Sequence, residues 1–171
     1  MVASVGELNK NKNTLRLIDA MKNVKNINVK YLICGDGVLR EEYQSKIKEN
    51  NLQDRCLFLG YRKDIQKILN VTDCYVMPSY REGLSKAMME AMNYSLPIIA
   101  SNIRGNKDLV GDNEGGILVN PKSTEEFTKA IEDLSCNPNQ AKIYGERNRE
   151  FVQNFSIEKV ISQMKEIYEE I

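Results

Sequence analysis

The 171-residue chain carries 24 lysines and arginines against 24 aspartates and glutamates, so no basic excess points to nucleic acid or to an anionic membrane surface. It contains no histidine, which removes histidine triads, histidine general bases and histidine-ligated zinc together. The length suits a single domain with a sizeable core, and any chemistry falls to carboxylates, amines and backbone groups.

In chain order, strand-like apolar runs alternate with helical periodicity. This predicts an α/β fold: a doubly wound, Rossmann-like, six-stranded and mostly parallel sheet with helices on both faces. Val2 to Val5 reads as the first strand, and the polar loop from Gly6 ends at Asn13, a residue suited to cap the helix marked by Leu17, Ile18, Met21 and Val24. Val29 to Cys34 is the second strand, running into a tight Gly35-Asp36-Gly37 turn, and Leu39, Tyr43 and Ile47 form the stripe of the next helix. Cys56 to Leu59 is a third strand closed by Gly60, Asp64 to Leu69 a short helix, and Cys74 to Met77 a fourth strand stopped by Pro78. A helix follows through Ala87, Met88, Ala91 and Met92, with the methionines expected in the core. Leu96 to Ser101 is the fifth strand, Gly105 to Val110 a loop entering a short helical turn, and Ile117 to Val119 the sixth strand after Gly115-Gly116. Beyond Pro121 the pattern is helical only: Glu125 to Leu134, a segment broken by Pro138 and running to about Phe155, and an amphipathic helix from Ile157 to Ile171 expected to dock on the domain.

Cys34, Cys56, Cys74 and Cys136 form no C-x-x-C pair, and three of them sit in strand-like runs, so they read as reduced thiols of a cytoplasmic protein. No charged-then-apolar leader opens the chain, and no apolar run approaches the roughly 18 residues of a membrane span. Because Met1 leads directly into a strand, a longer parent protein is expected.

In open α/β sheets ligands sit beyond the carboxyl ends of the strands. Five loops fall there: the Lys12 loop, the Gly35 turn, Gly60-Tyr61-Arg62, the Glu82 loop and the Gly105 loop. Glu82 lies just before a helix start and Glu90 about a turn and a half inside the helix. Free N–H groups at that start, with Gly83 allowing close approach, favour an anionic or hydroxyl-rich ligand. The same carboxylates could serve solubility alone, and Lys12 could be a solvated neighbour of Lys10. A glycosidase-like carboxylate pair is disfavoured, because one group in a loop and one on a helix flank are poorly placed to straddle a single bond. A receiver-like or flavodoxin-like domain would need an acidic pair after the first strand, where Val5-Gly6-Glu7-Leu8 supplies one carboxylate.

Glu82-Gly83-Leu84, with Glu90 after seven intervening residues, resembles the E-x7-E signature of retaining GT-B glycosyltransferases, especially glycosyltransferase family 4. Val5-Gly6-Glu7-Leu8 with Lys12, Ile33 to Gly37, Phe58 to Tyr61, Pro97 to Ser101 and Gly116 to Val119 stand in the matching order. The resemblance covers the donor-binding C-terminal half of such enzymes, so residues 1–171 would form one nucleotide-sugar domain, residues 121–171 its helical C-terminal part, and the N-terminal acceptor domain would lie elsewhere in the parent. It implies that Lys12 meets the diphosphate and Glu82 the donor sugar. Gly83, Leu84 and Ser85 would lie at the sugar and phosphate, Glu90 at the ribose, Gly35 along the nucleotide, and Gly60, Tyr61 and Arg62 beside the base. It further implies a UDP- or GDP-linked donor, no metal or other cofactor, a hexosyltransferase-type activity in cell-surface polysaccharide or glycoconjugate synthesis, and a parent held peripherally at the inner face of the membrane. An isolated donor half would be inactive, and a non-catalytic nucleotide-sugar-binding module is the alternative. Many relatives have an arginine where this chain has Glu7, which leaves Lys12, with Arg62 or Lys86 as possible helpers, to neutralise the diphosphate.

Overall fold

The structure, a computed structural model, describes residues 1–111 and 114–169; the expected end of the last helix at residues 170–171 lies outside them. Strands β1 (Val2–Val5), β2 (Tyr31–Cys34), β3 (Cys56–Gly60), β4 (Cys74–Met77), β5 (Ile98–Ser101) and β6 (Gly116–Val119) form one sheet in the order β3-β2-β1-β4-β5-β6. Every pairing is parallel. Because β1 pairs with β2 on one side and β4 on the other, the chain reverses its direction of winding between β1 and β4. A crevice opens there at the carboxyl ends.

Period-two alternation decides which helix meets which residue. Val2, Tyr31, Ile33, Cys74, Val76 and Ile99 face one layer, where α1 (Thr14–Asn23) inserts Leu17, Ile18 and Met21, α2 (Arg40–Glu49) Tyr43 and Ile47, and α6 (Thr124–Cys136) Phe127, Ile131 and Leu134. Tyr75, Met77, Ile98 and Ala100 face the other, against Met88 and Met92 of α4 (Lys86–Asn93) and Leu109 and Val110 of α5 (Arg104–Val110). On that side Ile68 of α3 (Ile65–Leu69) covers Ala3, Leu32 and Cys34. Each such aliphatic side chain, fully buried, stabilises the fold by about 1.5–3 kcal/mol before entropy is counted.

The boundaries differ locally from the expectation, for physical reasons. Val29 stays outside β2 because its N–H closes a turn onto the Asn26 carbonyl. Leu96 and Pro97 precede β5, where the Pro97 carbonyl still accepts from Tyr75 N–H at 3.0 Å. The Gly105 segment is a full helix, α5, rather than a loop with one turn. In β3 the register slips by one residue, so that Ile33 faces Phe58 but Cys34 faces Gly60. This bulge, with Gly60 at φ +68°, turns the chain out of the sheet towards Tyr61.

After β6 the chain is helical, as expected: α6, α7 (Pro138–Val152) with its proline in the first turn, a 3-10 turn (Gln153–Phe155) and α8 (Ile157–Glu169). Asn148 clips α7 to the sheet, its buried Nδ2 donating to the carbonyls of Leu96 at 2.8 Å and Gly115 at 2.7 Å. Asn148→Ala orphans the Leu96 carbonyl and leaves the Gly115 carbonyl only the Ile98 N–H at 3.2 Å, so a loss of about 1–3 kcal/mol in urea unfolding is expected. An unchanged midpoint would show that the clip contributes nothing. The docking expected for the last helix is not observed: Val160, Ile161, Met164, Ile167 and Tyr168 of α8 are all exposed.

Cys34, Cys56 and Cys74 are buried and Cys136 is exposed, all as free thiols. Burial pushes the Cys34 thiol, at the end of β2, up to about 11, so it stays protonated at neutral pH and packs as a small apolar group. Among the described residues, no helix is long and apolar enough to cross a membrane.

Candidate functional site

The loops after β1 and β4 are sewn together across the crevice. The Asn11 carbonyl accepts from Tyr80 N–H at 2.8 Å, and Asn11 Nδ2 donates to the Arg81 carbonyl at 3.0 Å. Asn13 was expected to cap α1, but it has a left-handed backbone with φ 54° and its side chain makes no capping bond. Its Nδ2 instead donates to the carbonyls of Pro78 at 3.0 Å and Pro121 at 2.9 Å, joining the loops after β1, β4 and β6.

These ties bring Lys12 and Glu82 together. Lys12 Nζ donates to Glu82 Oε1 at 2.7 Å, with the lysine side chain 26% and the carboxylate 12% exposed. Asn9 Oδ1 fixes the base of the lysine by accepting from Lys12 N–H at 3.0 Å, while its Nδ2 donates to Glu7 Oε2 at 2.9 Å. The aliphatic stem of Lys12 runs over Gly6, where an added Cβ would stand 3.3 Å from Lys12 Cε. On the far side of the Glu82 loop, Gly105 at the start of α5 lies so close that its Cβ would meet the Glu82 and Gly83 carbonyls at 2.5 and 2.3 Å. Gly83 itself has open space where a Cβ would be, so no internal contact demands glycine there.

The remaining candidates divide by position. Gly35 joins the crevice, its N–H donating to the Gly60 carbonyl at 2.8 Å, which links the turns after β2 and β3. Leu84 is exposed beside Gly83. Ser85 is buried and caps α4, its hydroxyl accepting from Met88 N–H at 3.4 Å, so its side chain has a structural task. Glu90, on an exposed flank of α4, has Lys86 Nζ at 3.8 Å. Tyr61 is exposed, and Arg62 is held by both oxygens of Asp64, at 2.8 and 2.7 Å. The Asp64 carboxylate in turn lies below its ordinary pKa, because the guanidinium hydrogen-bonds to its charged form. Both cations suggested as helpers for Lys12 thus already have carboxylate partners.

Asn9 and Asn11 are structural members of the site that the sequence does not single out, whereas Asn13 reads there as a helix cap and Gly105 as part of a convergent loop. The alternating asparagines of the first loop were the available signal, although their partners lie up to 108 residues away. Beneath Lys12 the crevice contains only a void of about 10 Å³, lined among others by Gly6, Cys34, Met77 and Pro78. That space is far below the few hundred cubic ångströms of an enclosed ligand pocket, so the site is an open surface. Of the larger concavities, one of about 320 Å³ borders these loops at Lys10, Asn13 and Tyr80, between α1 and α2, and one of about 540 Å³ lies at the amino ends of β1 and β4. Among the described residues no cluster of three or more cysteine, aspartate or glutamate side chains could hold a metal ion.

Fold and crevice together define a Rossmann-like domain of the kind that makes up one half of GT-B glycosyltransferases. The crystal structure of HepE from Anabaena in complex with UDP superposes with a TM-score of 0.93 at 22% identity, covering 99% of this chain and 48% of that one. The C-terminal domain of a glycosyl transferase group 1 family protein, LpcC from Francisella tularensis, superposes with a TM-score of 0.84 at 22% identity, covering 91% of this chain and 86% of that one. In sequence, the chain is 32% identical over 169 residues to the UDP-Gal:alpha-D-GlcNAc-diphosphoundecaprenol alpha-1,3-galactosyltransferase of Escherichia coli, over 96% of this chain and 44% of that protein. The profile of the family described as Glycosyl transferases group 1 matches residues 1–151. The chain belongs to that family. It spans about half the length of the curated relatives it matches.

Proposed function

We propose that the chain is the donor-binding half of a retaining hexosyltransferase of glycosyltransferase family 4, acting on a UDP- or GDP-linked sugar without a bound metal. The observation that carries this reading is the Lys12–Glu82 pair at the β1/β4 switch point, beside the start of α4. A diphosphate at that helix start meets free N–H groups, the positive end of the helix dipole and the ammonium of Lys12. As the sugar departs, charge builds on the terminal phosphate, where one preorganised donor can be worth about 3 kcal/mol. Glu82 orients the sugar through its hydroxyls, and Gly83 leaves room for the sugar to lie against the backbone with Leu84. Glu90 accepts from the ribose hydroxyls, Gly35 lets the nucleotide pass, and the Gly60-Tyr61-Arg62 backbone borders the base. The turned-out bulge at Gly60 suits that task.

The open crevice fits a site that the acceptor half of a longer parent closes, and the domain alone is expected to bind donor without transferring it. The E. coli relative is named for transfer from UDP-Gal to a diphosphoundecaprenol-linked sugar, which supports a role in polysaccharide or glycoconjugate synthesis. Calorimetric titration with uridine, guanosine and adenosine diphosphates tests the assignment. Glu90→Ala should weaken binding about tenfold or more, the effect of losing hydrogen bonds to a charged acceptor. Equal affinities of the wild type and Glu90→Ala for every diphosphate would remove Glu90 from the site.

A further inference from the structure

The proposed function assigns Lys12 to the diphosphate and Glu82 to the sugar, yet here the two groups hold each other at 2.7 Å. Their loops are joined through Asn11, Tyr80 and Arg81, and the lysine stem is laid across Gly6 towards the carboxylate. The opposition is therefore set by the backbone and is no chance meeting of two mobile side chains. Among the described residues, Glu82 is the one carboxylate in salt-bridge contact with Lys12.

We propose that this ion pair is a specificity device that sets the site against free nucleoside diphosphate and in favour of the nucleotide sugar; the inference rests on the donor-binding reading above. A diphosphate entering alone takes Lys12 and strips Glu82 of its counter-ion. A mostly buried carboxylate then stands unpaired beside the negative charge of the phosphates, an arrangement disfavoured by both desolvation and repulsion. A nucleotide sugar breaks the same pair but brings hydroxyl donors, which return hydrogen bonds to the carboxylate. Once the sugar has been transferred those donors leave. Glu82 then competes with the spent diphosphate for Lys12 and speeds its release, so Glu82 acts on the product as well as on the sugar.

The test is calorimetric titration of the 171-residue chain and its Glu82→Gln and Lys12→Ala variants with UDP, GDP, UDP-glucose and GDP-mannose, with thermal unfolding to verify that each variant folds. Glu82→Gln should bind the preferred diphosphate about tenfold more tightly than the wild type, with no matching gain for its sugar conjugate. Lys12→Ala should weaken both. If Lys12→Ala weakens diphosphate binding but Glu82→Gln leaves it unchanged or weaker, the device is overturned and the donor site stands. If Lys12→Ala changes no affinity, the donor-site reading itself is lost, and the inference with it. Should the wild type bind diphosphate too weakly to titrate, Glu82→Gln must still show measurable binding, and its failure to do so overturns the device.

Discussion

Alanine in place of Gly35 is expected to destabilise the chain by about 3 kcal/mol or more, through combined backbone strain and overpacking. Gly35 has φ +141°, a conformation that side-chain-bearing residues rarely adopt, and its Cβ would stand 1.8 Å from the Gly6 carbonyl oxygen. Neither backbone can retreat. Gly6 N–H donates to the Cys34 carbonyl at 3.0 Å, and Gly35 N–H donates to the Gly60 carbonyl at 2.8 Å, so separating the two turns also breaks the bonds that hold β1, β2 and β3 in line. Urea unfolding measures the loss directly. Gly83→Ala is the internal comparison: its Cβ meets nothing within 4 Å, and its stability should stay within about 1 kcal/mol of the wild type. A Gly35→Ala midpoint as high as that of Gly83→Ala would show that the turns after β1 and β2 do not approach so closely. The contrast also separates the two glycines of the site, since Gly35 is required by the fold and nothing within the fold requires Gly83.

How much of this was legible in the sequence follows from the range of the interactions. The strands were readable because both faces of a parallel sheet are covered, so each appears as an unbroken apolar run such as Tyr31-Leu32-Ile33-Cys34. Lys12 and Glu82 could each be placed at the carboxyl ends, but their direct pairing, 70 residues apart in sequence, depends on hydrogen bonds from Asn11 and Asn13 that no local pattern encodes. Asn13 shows how a local rule fails. An asparagine before a helix is a good cap in an extended conformation, but a left-handed backbone turns its amide towards Pro78 and Pro121. In α8 the helical periodicity was sound, yet amphipathicity names a face and not its partner, and the apolar face of α8 stays exposed within this chain.

On the proposed donor-binding role of Lys12, Lys12→Ala is expected to lower diphosphate affinity about 100-fold. The size of the effect follows from the engagement of the two cations suggested as helpers. Arg62 is held by both oxygens of Asp64, and Lys86 is drawn to Glu90. Removing the ammonium also leaves the mostly buried Glu82 facing the phosphates with no counter-ion, so repulsion adds to lost attraction. That second contribution has its own signature: adding Glu82→Gln to Lys12→Ala should recover part of the lost affinity, a non-additivity that two independent contacts would not show. Calorimetry with the single and double variants reads these effects directly. A Lys12→Ala variant that binds diphosphate within threefold of the wild type would remove Lys12 from the diphosphate site, and the donor-binding reading would fall with it.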